Sequence, residues 1–116
     1  MTERPFALLE HNTGTDIHWD LLIAEPDRED LATWRVLSDP RLVDRSDVVA
    51  LPHHRRVYLT YEGPISRDRG VVRRVAGGVL TVEPGFAGTV GGRFSVDTET
   101  WRGTWRITQT DLTREP

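Results

Sequence analysis

Two histidines and an aspartate lie close together near the start of the chain, in the stretch EHNTGTDIHWDLLI from residue 10 to residue 23. Its second half alternates in the manner of a β-strand, so that His18, Asp20 and Leu22 share one face and the apolar residues between them the other. The preceding Asn-Thr-Gly-Thr-Asp cluster is typical of a turn. A hairpin here would fold His11, at the end of the preceding strand, back beside His18.

Two imidazoles and one carboxylate are a set of ligands for a divalent metal. The His-x-Asp pattern places its two side chains on one strand face, roughly 6.5–7 Å apart along it, and His11 would be the third ligand. Such a set with open coordination positions suits Mn²⁺, Fe²⁺ or Zn²⁺ and favours catalysis over a purely structural role. The pattern is also common in strands that bind nothing, so a structural role for these side chains remains the alternative.

A second histidine cluster occurs in PHHRRVYLTYEG, residues 52 to 63. His54 and Tyr58 are four residues apart, with Arg55 between them. If a strand starts near Arg56, His54 lies at its mouth, where histidine and tyrosine donors beside a metal would orient and neutralise a phosphate. We expect His53 to be an exposed loop residue without a role.

Taken in order, the segments FALLEH, HWDLLI, TWRV and HRRVYLTYEGPIS resemble the 3′-phosphoesterase domain of bacterial DNA ligase D and its small stand-alone relatives. The closing RFSVDTETWRGTWRITQT is similar to the final β-hairpin of that family, so the resemblance covers roughly residues 6 to 110. It implies a β-barrel hydrolase that removes a 3′ ribonucleoside and then a 3′ phosphate from DNA or RNA ends, with Mn²⁺ or another divalent metal such as Zn²⁺. It also implies that the protein acts together with a repair system that contains a DNA ligase, a polymerase and Ku.

The resemblance assigns catalytic roles to five residues. It implies that His11, His18 and Asp20 bind the metal and that His54 and Tyr58 contact the phosphate.

Two positions depart from the family pattern. Leu22 stands where the family has a phosphate-contacting arginine, and Pro52 stands where it has an acidic residue. Arg35, in TWRV, is our candidate substitute on the neighbouring strand, and Arg55 is a further candidate phosphate ligand. Three hypotheses therefore remain: an active or weakened metallo-phosphoesterase, a non-catalytic module that binds nucleic-acid ends or a partner, and a structural barrel whose histidines are incidental.

Composition limits the other possibilities. The 116 residues are 37% hydrophobic and 28% charged, which predicts one globular domain spanning residues 1–116. Without cysteine there is no disulfide, thiolate metal site or cysteine nucleophile. Without lysine there is no Schiff base, lysyl-nucleotide intermediate or P-loop lysine. No apolar run suggests a signal peptide or a membrane partner, so we expect a cytoplasmic protein.

Charge is distributed unevenly within a formal net charge of −3. The segment from His53 to Arg74 contains six arginines against Glu62 and Asp68, a local charge of +4, and the rest of the chain carries −7. Arginine suits bidentate phosphate contacts. The segment is therefore either a phosphate-binding face or a solvated arginine-rich loop.

The elements that must hold these residues are nearly all strands. Gly and Pro punctuate short apolar runs at regular intervals, which predicts an all-β fold: one antiparallel barrel of about eight strands with at most one short helix. A helical turn or two is expected only within Pro40–Ala50. The predicted strands are Phe6–Glu10, Ile17–Glu25, Thr33–Leu37, Val57–Tyr61, Val71–Val75, Val79–Val82, Arg93–Asp97 and Thr104–Thr108.

Overall fold

Nine β-strands form a single sheet in the computed structural model, which describes residues 1–116. Two 3₁₀ segments, Arg56–Leu59 and Gly88–Val90, are the only helical turns, and there is no α-helix. The strands are β1 (Thr2–Asn12), β2 (Ile17–Ala24), β3 (Leu31–Val36), β4 (Arg45–His54), β5 (Gly63–Pro64), β6 (Val71–Val82), β7 (Gly92–Asp97), β8 (Arg102–Ile107) and β9 (Asp111–Arg114).

Antiparallel pairing closes eight of these strands into a barrel. The order is β1-β2-β3-β4-β9-β8-β7-β6, and pairing of β6 with β1 completes the ring. The two-residue strand β5 lies outside the ring and pairs only with the beginning of β6. Closure leaves no long unpaired edge among the eight strands. The predicted all-β barrel is confirmed.

The barrel encloses an apolar core of 19 buried residues. Trp34, Trp101 and Trp105 are among its largest members, each at most 2% exposed, and Trp19 packs against it from a half-buried position. Burial of a large apolar side chain contributes roughly 1.5–3 kcal/mol. The tryptophans therefore serve the core, as expected from the sequence.

A second apolar cluster lies outside the barrel wall, where residues 55–70 cross over the outer faces of β1, β2 and β3. We call residues 55–70 the covering segment. Because these strands are buried on both faces, their central residues form continuous apolar runs, FALL in β1 and LLIA in β2. The six wall residues are Ala7, Leu9, Leu22, Ala24, Leu31 and Val72, and the half-buried side chains Tyr58, Leu59, Tyr61 and Ile65 pack against them.

The structure corrects two predicted elements. Val57–Tyr61 was predicted to be a strand, but its first three residues lie in the 3₁₀ helix Arg56–Leu59. Two backbone hydrogen bonds close this turn, from the Tyr58 N–H to the Arg55 C=O and from the Thr60 N–H to the Val57 C=O. Its β-branched and aromatic residues suit a strand, but they cover the wall rather than pair with a neighbour. Pro40–Ala50, expected to hold a helical turn or two, instead leads into the long strand β4.

Two further differences concern strand number. The Gly77-Gly78 pair was predicted to be a turn between two strands, but β6 runs through it as one strand of 12 residues, with an irregularity opposite Leu8 and Leu9. Gly78 has a φ of +118°, which a glycine adopts without cost. The short strands β5 and β9 were not predicted. The chain contains no helix with the length and apolar character needed to cross a membrane.

Candidate functional site

The β1–β2 hairpin brings the two site histidines together. His11 and His18 are direct cross-strand partners, and their ring centroids lie 4.7 Å apart at 71°. Asp20, two residues beyond His18, projects from the same outer face of the barrel wall. The turn at residues 13–16 is held by the Thr13 N–H donating to the Asp16 C=O at 2.9 Å, which accommodates the long spacing between the two histidines.

The donor atoms of the three side chains converge. One carboxylate oxygen of Asp20 lies 3.7 Å from His11 Nδ1, and the other lies 3.4 Å from His18 Nε2. One ligand atom from each residue lies within 4.8 Å of the others. The structure therefore brings together the three residues that the sequence singles out as metal ligands.

The covering segment fixes the orientation of His11. His11 Nε2 donates to the Arg69 backbone carbonyl at 2.6 Å, which leaves the Nδ1 lone pair facing Asp20. A hydrogen bond from the ring nitrogen that does not bind the metal selects the tautomer of a metal-binding histidine. The Asp20 carboxylate raises the pKa of His11, with help from the Arg69 carbonyl and against the effect of burial.

His18 and Asp20 contain buried polar atoms without partners. Both side chains are buried, and neither His18 Nε2 nor Asp20 Oδ1 makes a hydrogen bond. Burial lowers the pKa of His18, so its imidazole is kept neutral, the form that binds metals. A buried polar atom without a partner costs about 1–3 kcal/mol. A divalent cation would supply the missing partner to both atoms, so these residues fit one.

Arg35 lies next to this cluster on the neighbouring strand. Its backbone pairs with that of Asp20, and its charge lowers the pKa values of both histidines. The Arg35 Nε is buried and makes no hydrogen bond, and no carboxylate of the chain forms an ion pair with the guanidinium. Trp34 points into the core, so Arg35 faces outward as the alternation predicts. It is thus a cation held beside the cluster without an anionic partner.

A pocket of about 460 Å³ opens over the cluster between the barrel wall and the covering segment. His11, Asp20 and Arg35 line it, together with His54 and Tyr58. The His54 and Tyr58 rings meet edge to face with centroids 5.9 Å apart. Four of the five residues assigned catalytic roles therefore line one pocket, and the fifth, His18, is buried behind it.

One of these pocket residues, His54, is positioned by a backbone carbonyl and a threonine hydroxyl. His54 Nδ1 donates to the Pro52 carbonyl at 3.0 Å, and the His54 backbone N–H donates to Thr33 Oγ1 at 3.2 Å. Pro52 thus orients His54 through its carbonyl, although it lacks the acidic side chain found in the resembling family. The remaining nitrogen of His54, Nε2, has no partner within the chain.

Leu22 and Arg55 lie outside this arrangement. Leu22 is fully buried in the outer apolar cluster beneath the covering segment, so its side chain serves packing. Arg55 lies over the Tyr58 ring, 5.9 Å from its centroid, and lines neighbouring cavities instead of the pocket. The structure therefore does not bring Arg55 to the cluster.

Two further residues that line the pocket were not expected there. His53 is the last residue but one of β4 instead of lying in a loop, and its Nδ1 lies 3.3 Å from Asp30 Oδ1. Arg69 lines the pocket and braces the covering segment through its Nε, which donates to the Ser66 carbonyl at 2.9 Å. The local positive charge of residues 53–74 was a signal for Arg69, but nothing in the sequence indicates a role for its carbonyl.

Comparison of the sequence with protein-family models and with curated proteins finds no match.

Proposed function

We propose that this chain is a metal-dependent phosphoesterase that acts on 3′-phosphate or 3′-ribonucleotide ends of DNA or RNA. One observation carries the proposal: a cluster of two histidines and one carboxylate, in which His18 and Asp20 are buried and have atoms without partners, lies beside an arginine without an anionic partner. Ligands for a cation and a fixed positive charge in one pocket are the combination that phosphoryl chemistry needs. The resemblance to the ligase D phosphoesterase domain supplies the choice of 3′ ends.

His11, His18 and Asp20 would hold the metal, through His11 Nδ1, His18 Nε2 and the Asp20 carboxylate. When bound, a divalent cation such as Mn²⁺ would polarise a phosphoryl oxygen and stabilise negative charge. Imidazole and carboxylate ligands also accept Zn²⁺ or Fe²⁺, and Mn²⁺ is our choice from the resemblance. The Arg69 carbonyl would keep His11 in its binding tautomer.

The other pocket residues would act on the phosphate itself. Arg35 would donate to two phosphate oxygens, since a guanidinium matches their geometry and stays charged. Tyr58 would donate a hydrogen bond from its hydroxyl group to the phosphate. In the hydrolysis, water adds to phosphorus, the bond from phosphorus to the leaving oxygen breaks, and that oxygen takes up a proton. His54 Nε2, which has no partner within the chain, is the candidate proton donor when the ring is protonated.

The direct test uses a primer-template whose primer ends in a 3′ phosphate. We expect the purified chain with Mn²⁺ to release phosphate and leave a 3′ hydroxyl, and to do neither in EDTA. His18→Ala should abolish release, whereas Arg106→Ala, a surface arginine paired with Glu115, should not change it. Metal-dependent release that persists at full rate in His18→Ala would contradict the proposal.

A second candidate function is a binding module without catalysis. It is favoured by Leu22, which is buried where the resembling family has a phosphate-contacting arginine. Such a module would bind 3′ ends with Mn²⁺ and release no phosphate. Measuring both binding and release on the same primer-template separates the two functions. In either case a repair ligase, polymerase or Ku protein is the partner we would test first.

A further inference from the structure

An aromatic groove continues from the pocket along the covering segment. It has a volume of about 340 Å³ and shares Tyr58 and Ile65 with the pocket. The two cavities therefore adjoin at these two side chains, so one ligand can contact both. The groove is lined by Arg55, Val57, Tyr58, Tyr61, Pro64, Ile65 and Ser66.

Two tyrosine rings and several apolar side chains line much of this aromatic groove. The Tyr58 and Tyr61 rings are nearly perpendicular, with centroids 5.7 Å apart. The Tyr61 hydroxyl donates to the Pro64 carbonyl, which fixes that ring against the covering segment. Val57 is 53% exposed, although it is apolar. Aromatic rings beside exposed apolar surface form a platform on which a nucleobase can stack, whatever its identity.

Unpaired arginines lie in and next to the aromatic groove. Arg55 lines the groove and Arg56 lines the adjoining cavity, and neither guanidinium makes a hydrogen bond or ion pair within the chain. Elsewhere on the surface, by contrast, Arg28 is paired with Asp30 at 2.7 Å. Unpaired arginines beside a stacking platform complement a chain that alternates phosphates with bases. This charge favours a nucleic-acid strand over an apolar peptide.

We propose that the aromatic groove binds the base of the nucleotide whose 3′ phosphate occupies the pocket. The choice of that nucleotide rests on the proposed function, which places the phosphate. Tyr58 belongs to both cavities, so one side chain contacts the phosphate and borders the base. Arg55, over the Tyr58 ring, stacks on the opposite side of the base or pairs with the adjoining phosphate. A base-paired terminal nucleotide must therefore separate from its template before its base can enter the groove.

The experiment measures binding and hydrolysis separately. Binding is measured by fluorescence anisotropy with a single-stranded DNA oligonucleotide ending in a 3′ hydroxyl, and with the same oligonucleotide ending in an abasic residue. We expect the intact end to bind about tenfold more tightly, as for loss of one base stacked on an aromatic side chain. Hydrolysis is measured with the 3′-phosphorylated forms of both oligonucleotides and Mn²⁺, and kcat/KM should show a similar preference.

Two variants test whether the preference for the intact end arises in the aromatic groove. Val57→Glu places a negative charge in the aromatic groove and Arg55→Ala removes its cation, and each should reduce the tenfold preference to about twofold or less. Val79→Glu is the matched control, because Val79 is a valine of similar exposure, 51%, on β6. It should keep the full preference.

The outcomes separate this proposal from the proposed function. Metal-dependent release of phosphate with equal binding of intact and abasic ends overturns the base site and leaves the phosphoesterase standing. A base preference that Val57→Glu removes, without any release of phosphate, keeps the base site and overturns the phosphoesterase. If Val79→Glu weakens the preference as much as Val57→Glu does, the effect is one of charge alone and the aromatic groove is not the site.

Discussion

The two sides of the barrel differ in whether their charged side chains have partners. On the side formed by β7, β8 and β9, arginines are paired with carboxylates: Arg106 with Glu115 at 2.9 Å, and Arg114 with Asp44 at 2.9 Å. On the side covered by residues 55–70, Arg35 has no carboxylate partner, and two buried polar atoms of the neighbouring cluster make no hydrogen bond.

This difference distinguishes structural charges from functional ones. Exposed ion pairs contribute little to stability, about 0–1 kcal/mol each, and their loss is tolerated. Buried polar atoms without partners oppose folding, and in native proteins they are few. Besides Arg4 and the ring nitrogens of the four tryptophans, the buried side-chain atoms without partners belong to His18, Asp20 and Arg35. These three lie together at one pocket, where a ligand can supply the missing contacts. The paired side therefore provides matched controls for the unpaired side.

The largest effect is expected from Asp20→Asn. The amide cannot supply the negative charge that contacts both histidines, so metal affinity and hydrolysis should each fall by at least about 10²-fold, since losing only a second-shell partner already costs 10- to 100-fold. Titration calorimetry with Mn²⁺ and the rate of phosphate release would measure this. Without metal the variant should melt no lower than the wild type, because it removes a buried carboxylate.

Glu115→Gln is the control for this prediction, since it makes the same kind of change in an ion pair of the paired side. It should leave metal affinity and phosphate release unchanged. If Asp20→Asn and Glu115→Gln behaved alike in both measurements, the difference between the two sides would have no functional meaning.

Arg35→Ala should have the next largest effect. Losing one donor to the transition state lowers hydrolysis by on the order of 10²-fold, while the metal ligands stay in place. We therefore expect a lower kcat/KM without a loss of affinity for Mn²⁺. Arg106→Ala should change neither quantity. A parallel loss of metal affinity in Arg35→Ala would show instead that Arg35 organises the cluster.

Leu22→Arg tests whether the position used in the resembling family can take over. Leu22 is fully buried beneath the covering segment, so an arginine there must either be desolvated or displace that segment. We expect it to destabilise the chain by several kcal/mol and not to rescue Arg35→Ala. A folded double variant with restored activity would contradict this and return the phosphate site to position 22.

The contrast also separates what the sequence could and could not predict. Alternation along β2 placed Asp20 and His18 on one face, and the turn residues before it returned His11 to their side, because strand period and turn chemistry are local. The path of the covering segment is not determined by local sequence patterns. The run from Val57 to Tyr61 has the composition of a strand, and only its packing against Leu22 and its neighbours makes it 3₁₀.

The roles of backbone carbonyl groups in the site could not be predicted from the sequence either. The Arg69 carbonyl orients His11 and the Pro52 carbonyl orients His54, yet a carbonyl group is present in every residue. Its role depends on where the chain passes, which tertiary contacts decide. Arg35 shows the intermediate case: alternation with Trp34 predicted its face, and the structure was needed to show that this face lines the pocket.

A smaller effect is expected from Gly70→Ala. Gly70 follows Arg69, has a φ of +96°, and a Cβ there would lie 2.1 Å from the Asn12 carbonyl oxygen. The covering segment would have to move, and with it the carbonyl that orients His11. Metal affinity should fall by about tenfold, the low end for loss of a second-shell contact.

Gly85→Ala is the matched control for Gly70→Ala, because Gly85 has a φ of +93° but nothing within 4 Å of its Cβ position. It should cost about 1–2 kcal/mol in stability from backbone strain and leave metal affinity unchanged. Equal losses of affinity in the two variants would show that general destabilisation, and not the position of the Arg69 carbonyl, is responsible.

The smallest effect is expected from pH, and its sign follows from His11. Asp20 raises the pKa of His11 above its ordinary value of 6.5, so in the metal-free chain His11 takes up a proton more readily than an ordinary histidine does. A metal must displace that proton, and affinity therefore falls as pH drops through the raised pKa. Burial lowers the pKa of His18, so His18 takes up a proton only at a lower pH than an ordinary histidine and contributes less to the change. Between pH 8 and pH 6 we expect Mn²⁺ affinity to decrease severalfold, with proton release that rises towards one proton per metal as the pH falls. Calorimetry in two buffers of different ionisation enthalpy measures that proton directly. Release of two protons would mean that His18 is also protonated in the metal-free chain, and affinity independent of pH would mean that His11 is not a ligand.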